Sequence, residues 1–308
     1  EADLQAIVDL INACDAVDQL DQGTSVEELR LDFADPDFDI ARDIRLWEDA
    51  QGKLSGYGWL WVPPDSDMEG YLGFKIHPQV RGKGIEAQVL AWAQERMKEP
   101  NSTLQRPVIL RSGVRESQRE RIASLEQHGF TINRYFYRMT LLLNNLHLTP
   151  QLPAGYEVRS LQPDEIDAWV DLCNQSFIDH WNFHPVTREQ RQHWMSDPDY
   201  CADLDLVAVS PEGTFAAFCL SSIYTKDNAR TGRYEGWISS LGTRRGFRKI
   251  GLGRAMLLNG IHQLKAKGVE TALLGVDVEN PSGALRLYES VGFCKLFASI
   301  VYCKQITS

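Results

Sequence analysis

Five basic side chains and three glycines are crowded into the stretch from Arg244 to Arg254. The stretch reads Arg-Arg-Gly-Phe-Arg-Lys-Ile-Gly-Leu-Gly-Arg and contains the spacing Arg248-x-x-Gly251-x-Gly253. Glycines leave the neighbouring backbone N–H groups open to a ligand, and the N-terminus of a helix favours negative charge. The stretch therefore predicts a turn that binds a polyphosphate. Its spacing matches neither a P-loop nor the Gly-x-Gly-x-x-Gly pattern of dinucleotide-binding folds.

Such a turn must be positioned by a strand before it and a helix after it. Residues 237–243 are short and apolar enough to form that strand. Leu257, Ile261 and Leu264 recur at spacings of four and three, which predicts a helix with one buried face. Gly268 is a natural end for this helix.

The next elements carry the strongest signal. Residues 271–278 (Thr-Ala-Leu-Leu-Gly-Val-Asp-Val) read as a buried strand. They are followed by Asn280-Pro-Ser-Gly-Ala-Leu-Arg-Leu-Tyr288-Glu-Ser-Val-Gly-Phe293. Arg-x-x-Gly-x-Gly, a strand, Asn and then Leu-Tyr-x-x-x-Gly-Phe together resemble the GNAT acyltransferase superfamily, which uses acetyl-coenzyme A (acetyl-CoA).

The same unit occurs twice. An earlier turn has its own motif glycine at Gly84, which lies 167 residues before Gly251. Gly129-Phe130 likewise corresponds to Gly292-Phe293, so the chain resembles a tandem GNAT protein. The resemblance implies an N-terminal domain over 1–146 and a C-terminal domain over 147–308. We expect an α/β fold of the α+β type, in which each domain has a mixed, mostly antiparallel, twisted sheet flanked by helices.

The two copies differ where chemistry would occur. The small residue Gly253 is replaced by Glu86 in the first copy, where a carboxylate could itself bind the N–H groups meant for phosphate. Tyr288 falls opposite Leu125, so the first copy lacks that hydroxyl. We therefore expect the N-terminal domain to be degenerate and the C-terminal domain to be catalytic.

The family resemblance implies which residues hold acetyl-CoA. The pantetheine arm should run along Leu241, Gly242 and Thr243 as though it were another strand. Asn280 should hydrogen-bond the amides of the arm, although an Asn before a Pro could equally cap the next helix. The pyrophosphate should lie on the backbone N–H groups of Arg248, Lys249, Ile250, Gly251, Leu252, Gly253 and Arg254.

Two residues are candidates for proton transfer. Tyr288 matches the family's general acid, which protonates the leaving thiolate; the alternative is a plain core tyrosine on an amphipathic helix. Glu235 shares a strand face with Trp237 and Ser239 and could accept the proton of the acceptor amine. The alternative for Glu235 is a solvated glutamate at the end of a strand.

The loop before Pro185 is where the family builds its acceptor site. It supplies Asp179, His180, Trp181 and His184 as candidate substrate-binding residues. The spacing of four between the two histidines invites a zinc site, but no third ligand is apparent, so we expect no metal. Trp181 is expected to line the acceptor pocket or to belong to the core.

Composition limits the remaining possibilities. The chain has 308 residues, of which 43% are hydrophobic and 24% charged, with a net charge of −10. This negative charge disfavours binding to nucleic acid and suits a cationic amine substrate. The sequence has no apolar run long enough to span a membrane. The six cysteines form no Cys-x-x-Cys pair, which predicts reduced thiols and a cytoplasmic protein.

These observations predict an N-acetyltransferase that moves an acetyl group from acetyl-CoA to the amine of a small molecule or peptide by direct attack. The competing hypothesis is a non-catalytic module in which CoA binding has a regulatory or interaction role. No residue identifies the acceptor, and none indicates an oligomeric state.

Overall fold

A computed structural model describes residues 2–36, 38–63, 68–98, 107–144 and 146–306. The chain divides into two compact units: the first is Glu1–Tyr135 with Ala298–Ser308, and the second is Phe136–Phe297. This division differs from 1–146 and 147–308, because each unit takes a segment from the other half of the chain. The asparagines and prolines of 144–155 predict a linker between the domains. Residues 146–156 contain no helix or strand.

The first half of the chain alternates helices and strands. In order, its elements are α1 (Ala2–Asp18), α2 (Val26–Asp32), α3 (Ile40–Asp43), β1 (Ile44–Glu48), β2 (Leu54–Trp61), β3 (Glu69–Ile76), α4 (Ile85–Lys98), β4 (Val108–Arg115), α5 (Arg119–Gln127) and β5 (Thr131–Leu142). The spacing of Ser25 and Glu28 in the sequence predicts a capping box, and the start of α2 has it: each side chain accepts a hydrogen bond from the other residue's backbone N–H group.

The second half resembles this arrangement, but it begins with a strand and has a short helix directly before its central strand. In order, its elements are β6 (Glu157–Ser160), α6 (Ile166–Phe177), α7 (Arg188–Met195), β7 (Asp205–Val209), β8 (Phe215–Ser222), α8 (Thr225–Thr231), β9 (Glu235–Thr243), α9 (Leu252–Ala266), β10 (Thr271–Asp277), α10 (Ala284–Val291) and β11 (Cys294–Ile306).

The sheet of the first unit has the strand order β1-β2-β3-β4-β11. Only β3 and β4 are parallel among these pairs, and residues 299–306 of β11 run antiparallel to β4. Leu72, Phe74 and Ile76 are buried at alternate positions of β3, as a strand with one covered face requires. They pack in one core with Val89 and Leu90 of α4.

The sheet of the second unit has the strand order β5-β10-β9-β8-β7-β6. Again one central pair, β9 with β10, is parallel. The predicted helical face holds, because Leu257, Ile261 and Leu264 of α9 are all fully buried. On α6, Trp169 packs with Phe218 of β8 in a separate core cluster.

No helix within the described ranges combines the length and the apolar character needed to cross a bilayer. Nor does any group of three His, Cys, Asp or Glu side chains in the same ranges have an arrangement that could hold a metal ion.

Candidate active site

The parallel strands β9 and β10 separate halfway along their length. Their ladder pairs Glu235–Ile238 with Thr271–Leu274 and goes no further. Beyond this point β10 continues to pair with β5, whereas residues 240–243 of β9 pair only with β8. The edge of β9 at Leu241 and Thr243 therefore opens into a wedge where an extended ligand could add to the strand.

A β-bulge marks the point of separation. The register between β8 and β9 shifts between Leu220 and Ser221, which leaves Ser239 without an opposite residue. A bulge re-aims the backbone and is often found beside active sites. The Ser239 hydroxyl donates to the Ser222 hydroxyl at 2.9 Å. No sequence pattern predicted this bulge.

The turn after β9 has the backbone of an anion-binding loop. Lys249 (φ 66°) and Gly251 (φ 88°) are both left-handed, and α9 begins directly after them. In the described part of the chain no side chain caps this helix, so its first N–H groups point out of the helix without a side-chain acceptor. A Cβ on Gly253 would approach Thr243 Oγ1 to 3.3 Å, so the residue sits close against β9.

The arginines of this turn already have partners. Arg244 donates to Asp171 at 2.6 Å, and Arg254 donates to the Ser290 hydroxyl at 2.6 Å. Arg248 donates to the Thr243 carbonyl at 3.1 Å and to the Ser176 carbonyl at 2.8 Å, which fixes the turn to both β9 and α6. The backbone N–H groups, more than the guanidinium groups, are thus left to bind an anion.

Asp179 is held by the basic turn. Its carboxylate accepts hydrogen bonds from Arg245 and, at 2.8 Å, from Arg248. These two guanidinium groups lower the pKa of Asp179 far below its ordinary value. The arrangement separates Asp179 from the other predicted acceptor residues, and its exposed ion pair with Arg245 is of a kind that a phosphate can displace.

The corresponding turn of the first unit is closed by its own carboxylate. Gly82 (φ 69°) and Gly84 (φ 96°) repeat the left-handed pattern of the second unit. Here, however, Glu86 Oε1 accepts the Gly82 N–H at 2.8 Å. The carboxylate thus lies where it was expected, on an N–H group that a phosphate would otherwise use.

A cavity of about 550 Å³ opens beside the bulge of the second unit. Ser239 and Ser240 form part of its wall. The predicted residues His180, Trp181 and His184 line it as well. Sequence analysis did not find its other polar wall residues, Asp197, Asp199, Tyr200 and Tyr224, because they lie on connections that carry no motif.

One hydrogen bond connects the acceptor loop to the candidate cofactor residue. Asn280 Nδ2 lies 2.8 Å from His180 Nε2, and Asn280 Oδ1 accepts the Ser282 N–H at 2.8 Å. The second bond fixes the amide so that its NH₂ group faces the imidazole. Asn280 thus stabilises the turn before α10 and contacts a residue of the cavity wall, but it is not the cap of α10, whose N-cap is Gly283.

Tyr288 is buried on α10, where it packs against Phe293 with ring centroids 6.1 Å apart. Burial raises the pKa of Tyr288 above its ordinary value, and the nearby Cys219 adds to the rise. Cys219 lies on β8 directly opposite Leu241, so the phenol is close to the part of β9 that opens. No hydrogen bond of the phenol is found within the described residues.

Glu235 stands apart from these groups. It begins β9, and its Oε1 lies 3.3 Å from Arg233 Nε. It lies four strand positions before Ser239, which corresponds to about 13 Å. It is not among the residues that line the 550 Å³ cavity. Glu235 therefore lies at the far end of the strand, and Asp179 is likewise away from the cavity because it is bound to the basic turn.

Known proteins match this arrangement. Residues 166–293 match the acetyltransferase (GNAT) family. A mycothiol acetyltransferase of Thermobispora bispora is 27% identical over 252 residues, which cover 80% of this chain and 79% of that protein.

Solved structures share the fold of the whole chain. A GCN5-related N-acetyltransferase from Sphaerobacter thermophilus superposes with a TM-score of 0.78 and 24% identity, covering 100% of this chain and 94% of that one. A tandem GNAT protein from the clavulanic acid biosynthesis pathway superposes with a TM-score of 0.72 and 16% identity, covering 99% and 95%. The tandem fold predicted from the repeat is confirmed. Residues 166–293 therefore match the GNAT acetyltransferase family, and together with the curated relatives they make the chain an acyltransferase with acetyl-CoA as its co-substrate.

Proposed function

We propose that the second unit transfers the acetyl group of acetyl-CoA directly to the amine of a small molecule. The observation that carries this proposal is the wedge between β9 and β10, which meets the α9 loop on one side and the 550 Å³ cavity on the other. Acetyl-CoA would lie through the wedge with its pyrophosphate on the loop and its thioester at the bulge. The acceptor would enter through the cavity.

The open edge of β9 holds the pantetheine arm in this scheme. The arm pairs with Leu241, Gly242 and Thr243, and Asn280 supplies an amide to it. The bulge at Ser239 turns a backbone N–H towards the thioester carbonyl, where a donor to the developing oxyanion contributes roughly 3–4 kcal/mol. The N–H groups of residues 248–254 hold the pyrophosphate at the start of α9.

Attack of the amine nitrogen on the thioester carbon forms the amide bond and breaks the carbon–sulfur bond. The leaving thiolate takes its proton from the Tyr288 hydroxyl. Because burial raises the pKa of Tyr288, the phenol stays protonated throughout the neutral range and is always ready to donate. Its lack of a competing hydrogen bond in the described structure leaves the proton available to the sulfur.

The acceptor amine must lose a proton, because an ammonium group with a pKa near ~10.4 cannot attack. Glu235, a candidate base from the sequence, lies about 13 Å along β9 from Ser239 and does not line the cavity. His180 is a better placed base, since it lines the cavity and contacts Asn280 at 2.8 Å. When Asn280 turns to the pantetheine arm, the Nε2 lone pair of His180 becomes free to accept the proton.

The walls of the cavity favour a compact amine. Trp181 and Tyr224 contribute aromatic rings to the cavity wall, and Asp197 and Asp199 contribute negative charge. An ammonium group is attracted by both, which favours its entry before it is deprotonated. Because curated relatives are named mycothiol acetyltransferases, a small-molecule acceptor of the mycothiol type is the first to test.

The decisive experiment measures thiol release from acetyl-CoA over a panel of amines that includes amino sugars, cysteinyl conjugates, polyamines and peptides. We expect release that depends on one class of small amine and saturates with its concentration. CoA binding without release across the whole panel would instead favour the non-catalytic module.

A further inference from the structure

The first unit contains a cavity of about 860 Å³ that the transferase reaction does not use. It lies where β3 and β4 separate, since their parallel ladder pairs Glu69–Tyr71 with Ile109–Arg111 and then stops. All the residues that line it fall between Cys14 and His128, so the cavity belongs to the first unit alone.

The strand edge that faces this cavity is occupied by side chains of the protein. The Leu72 carbonyl accepts the Ser112 hydroxyl at 3.0 Å, and the Phe74 carbonyl accepts Arg121 at 3.0 Å. The Ile76 carbonyl accepts Arg81 at 3.2 Å. An acyl-CoA arm cannot pair with an edge whose carbonyls are already bonded.

The second unit differs at the central one of these three positions. Its Thr243 carbonyl accepts Arg248, as Ile76 accepts Arg81. In the described part of the chain, however, no side chain donates to the Leu241 carbonyl, which is the counterpart of Phe74. Arg121 is thus the group that converts an acyl-CoA wedge into a different kind of site.

Lys75 and Arg121 are two cations of the cavity that bond to uncharged groups. Lys75 Nζ donates to the Gln22 amide oxygen at 2.7 Å, and Arg121 donates to the Phe74 carbonyl and the Ser112 hydroxyl. Neither is within ion-pair distance of a carboxylate in the described residues, and Arg121 Nε is buried without a hydrogen bond there. Arg81, by contrast, is neutralised by Asp18 through two bonds of 2.6 and 2.8 Å.

The environment of both cations is unfavourable for charge. Burial, followed by the nearby charge of Arg121, lowers the pKa of Lys75. Burial likewise lowers the pKa of Arg121, to about 10. The carboxylate of Asp18, which also lines the cavity, offsets these shifts only in part, so an anion bound between the two cations would stabilise both charges.

We propose that the cavity of the first unit binds a small molecule through a carboxylate or phosphate group held by Lys75 and Arg121. The ligand is not acyl-CoA, because Arg121 fills the strand edge and Glu86 occupies the N–H of Gly82. The chain would then have a second binding site, in the first unit, for ligands that carry a carboxylate or phosphate group. This inference does not depend on the activity of the second unit.

Calorimetric titration of the full chain at constant ionic strength tests the proposal, with inorganic phosphate in one series and citrate in the other. Whichever probe matches the site should saturate at one per chain. Lys75→Met should weaken that binding about tenfold or more, as loss of one charge-assisted hydrogen bond implies. Arg119→Gln, which removes an exposed cation of the same cavity, should change it less than about twofold.

Arg121→Met is a second test, with circular dichroism to check its fold because Arg121 also stacks on Phe74 at 4.0 Å. Failure of both probes to bind would overturn the proposal. Equal binding to the parent chain and the Lys75→Met variant would place the anion elsewhere and overturn it too. So would two acetyl-CoA molecules bound per chain, since one of them would then occupy the first unit.

Discussion

Glu86 Oε1 lies 2.8 Å from the Gly82 nitrogen, and Gly253 occupies the position of Glu86 in the second unit. The two loops share their left-handed backbone, so this one side chain decides whether the N–H groups are open. An anion-binding loop can thus be blocked from within without any change in its fold.

The first prediction transfers this block to the second unit. Gly253→Glu should weaken acetyl-CoA binding by about tenfold or more, because the new carboxylate takes the loop N–H groups and repels the pyrophosphate. Gly253→Gln has the same bulk without the charge and should lose less affinity. Calorimetry with acetyl-CoA measures both. Equal losses would mean that bulk, not charge, closes the loop.

The second prediction concerns the proposed general acid. Tyr288→Phe should lower kcat by about 100-fold or more while leaving the Kd for acetyl-CoA unchanged. The ring that packs edge-on against Phe293 is kept, and the hydroxyl makes no hydrogen bond within the described residues, so the thermal unfolding midpoint should stay the same. Unchanged turnover would remove Tyr288 from the mechanism.

The third prediction follows from the raised pKa of the same phenol. Folding holds the Tyr288 proton above the pKa of an unfolded tyrosine, near ~10. Its contribution to the free energy of unfolding is therefore complete below about pH 10 and is lost as the pH rises beyond it. Tyr288→Phe should show a smaller decline in stability above pH 10 than the parent chain, in urea titrations at several pH values. Parallel declines would contradict the burial of this hydroxyl.

The fourth prediction separates the two candidate bases. Glu235→Gln should leave the pH profile of kcat/KM superimposable on that of the parent chain, because Glu235 lies outside the cavity. His180→Gln should lower kcat/KM by about 100-fold and abolish its acidic limb. A profile that shifts in Glu235→Gln and not in His180→Gln would restore Glu235 as the base.

The fifth prediction tests the packing behind β9. A Cβ on Gly242 would lie 2.3 Å from Phe218 Cε1 and 2.9 Å from Ser176 Cβ, so α6 and β9 approach each other only over a glycine. Gly242→Ala should lower the free energy of unfolding by about 1–3 kcal/mol through overpacking. Gly246→Ala is the matched control, since nothing lies within 4 Å of its Cβ and its φ is not left-handed. Similar stabilities of the two variants would refute the tight contact.

Local patterns in the sequence predicted local structure well. The capping box at Ser25, the buried face of α9, and the two glycine loops depend on neighbours within a few residues. The contact of Glu86 with the loop could be predicted for the same reason. The helix α8 was missed because its seven polar residues carry no hydrophobic periodicity.

Positions that depend on distant pairing could not be predicted. Ser239 becomes a bulge only through its register with β8, and Asp179 meets Arg245 across 66 positions of the chain. The distance between Glu235 and the proposed thioester position depends on where β9 separates from β10. The type of residue at position 235 does not specify that point. The boundaries of the two units likewise depend on distant strand pairing. Residues 136–142 pair with β10, and residues 299–306 pair with β4.

The membership of β11 has a consequence for the order of folding. Ser299 pairs with Arg115, so the strand that completes the sheet beside β4 is synthesised after all of residues 136–297. On the ribosome, the unit that begins first therefore finishes second, and β4 keeps one open edge while the later unit is already complete. An unpaired strand edge can pair with another chain. We therefore expect the nascent protein to need chaperones until residues 299–306 pair with β4.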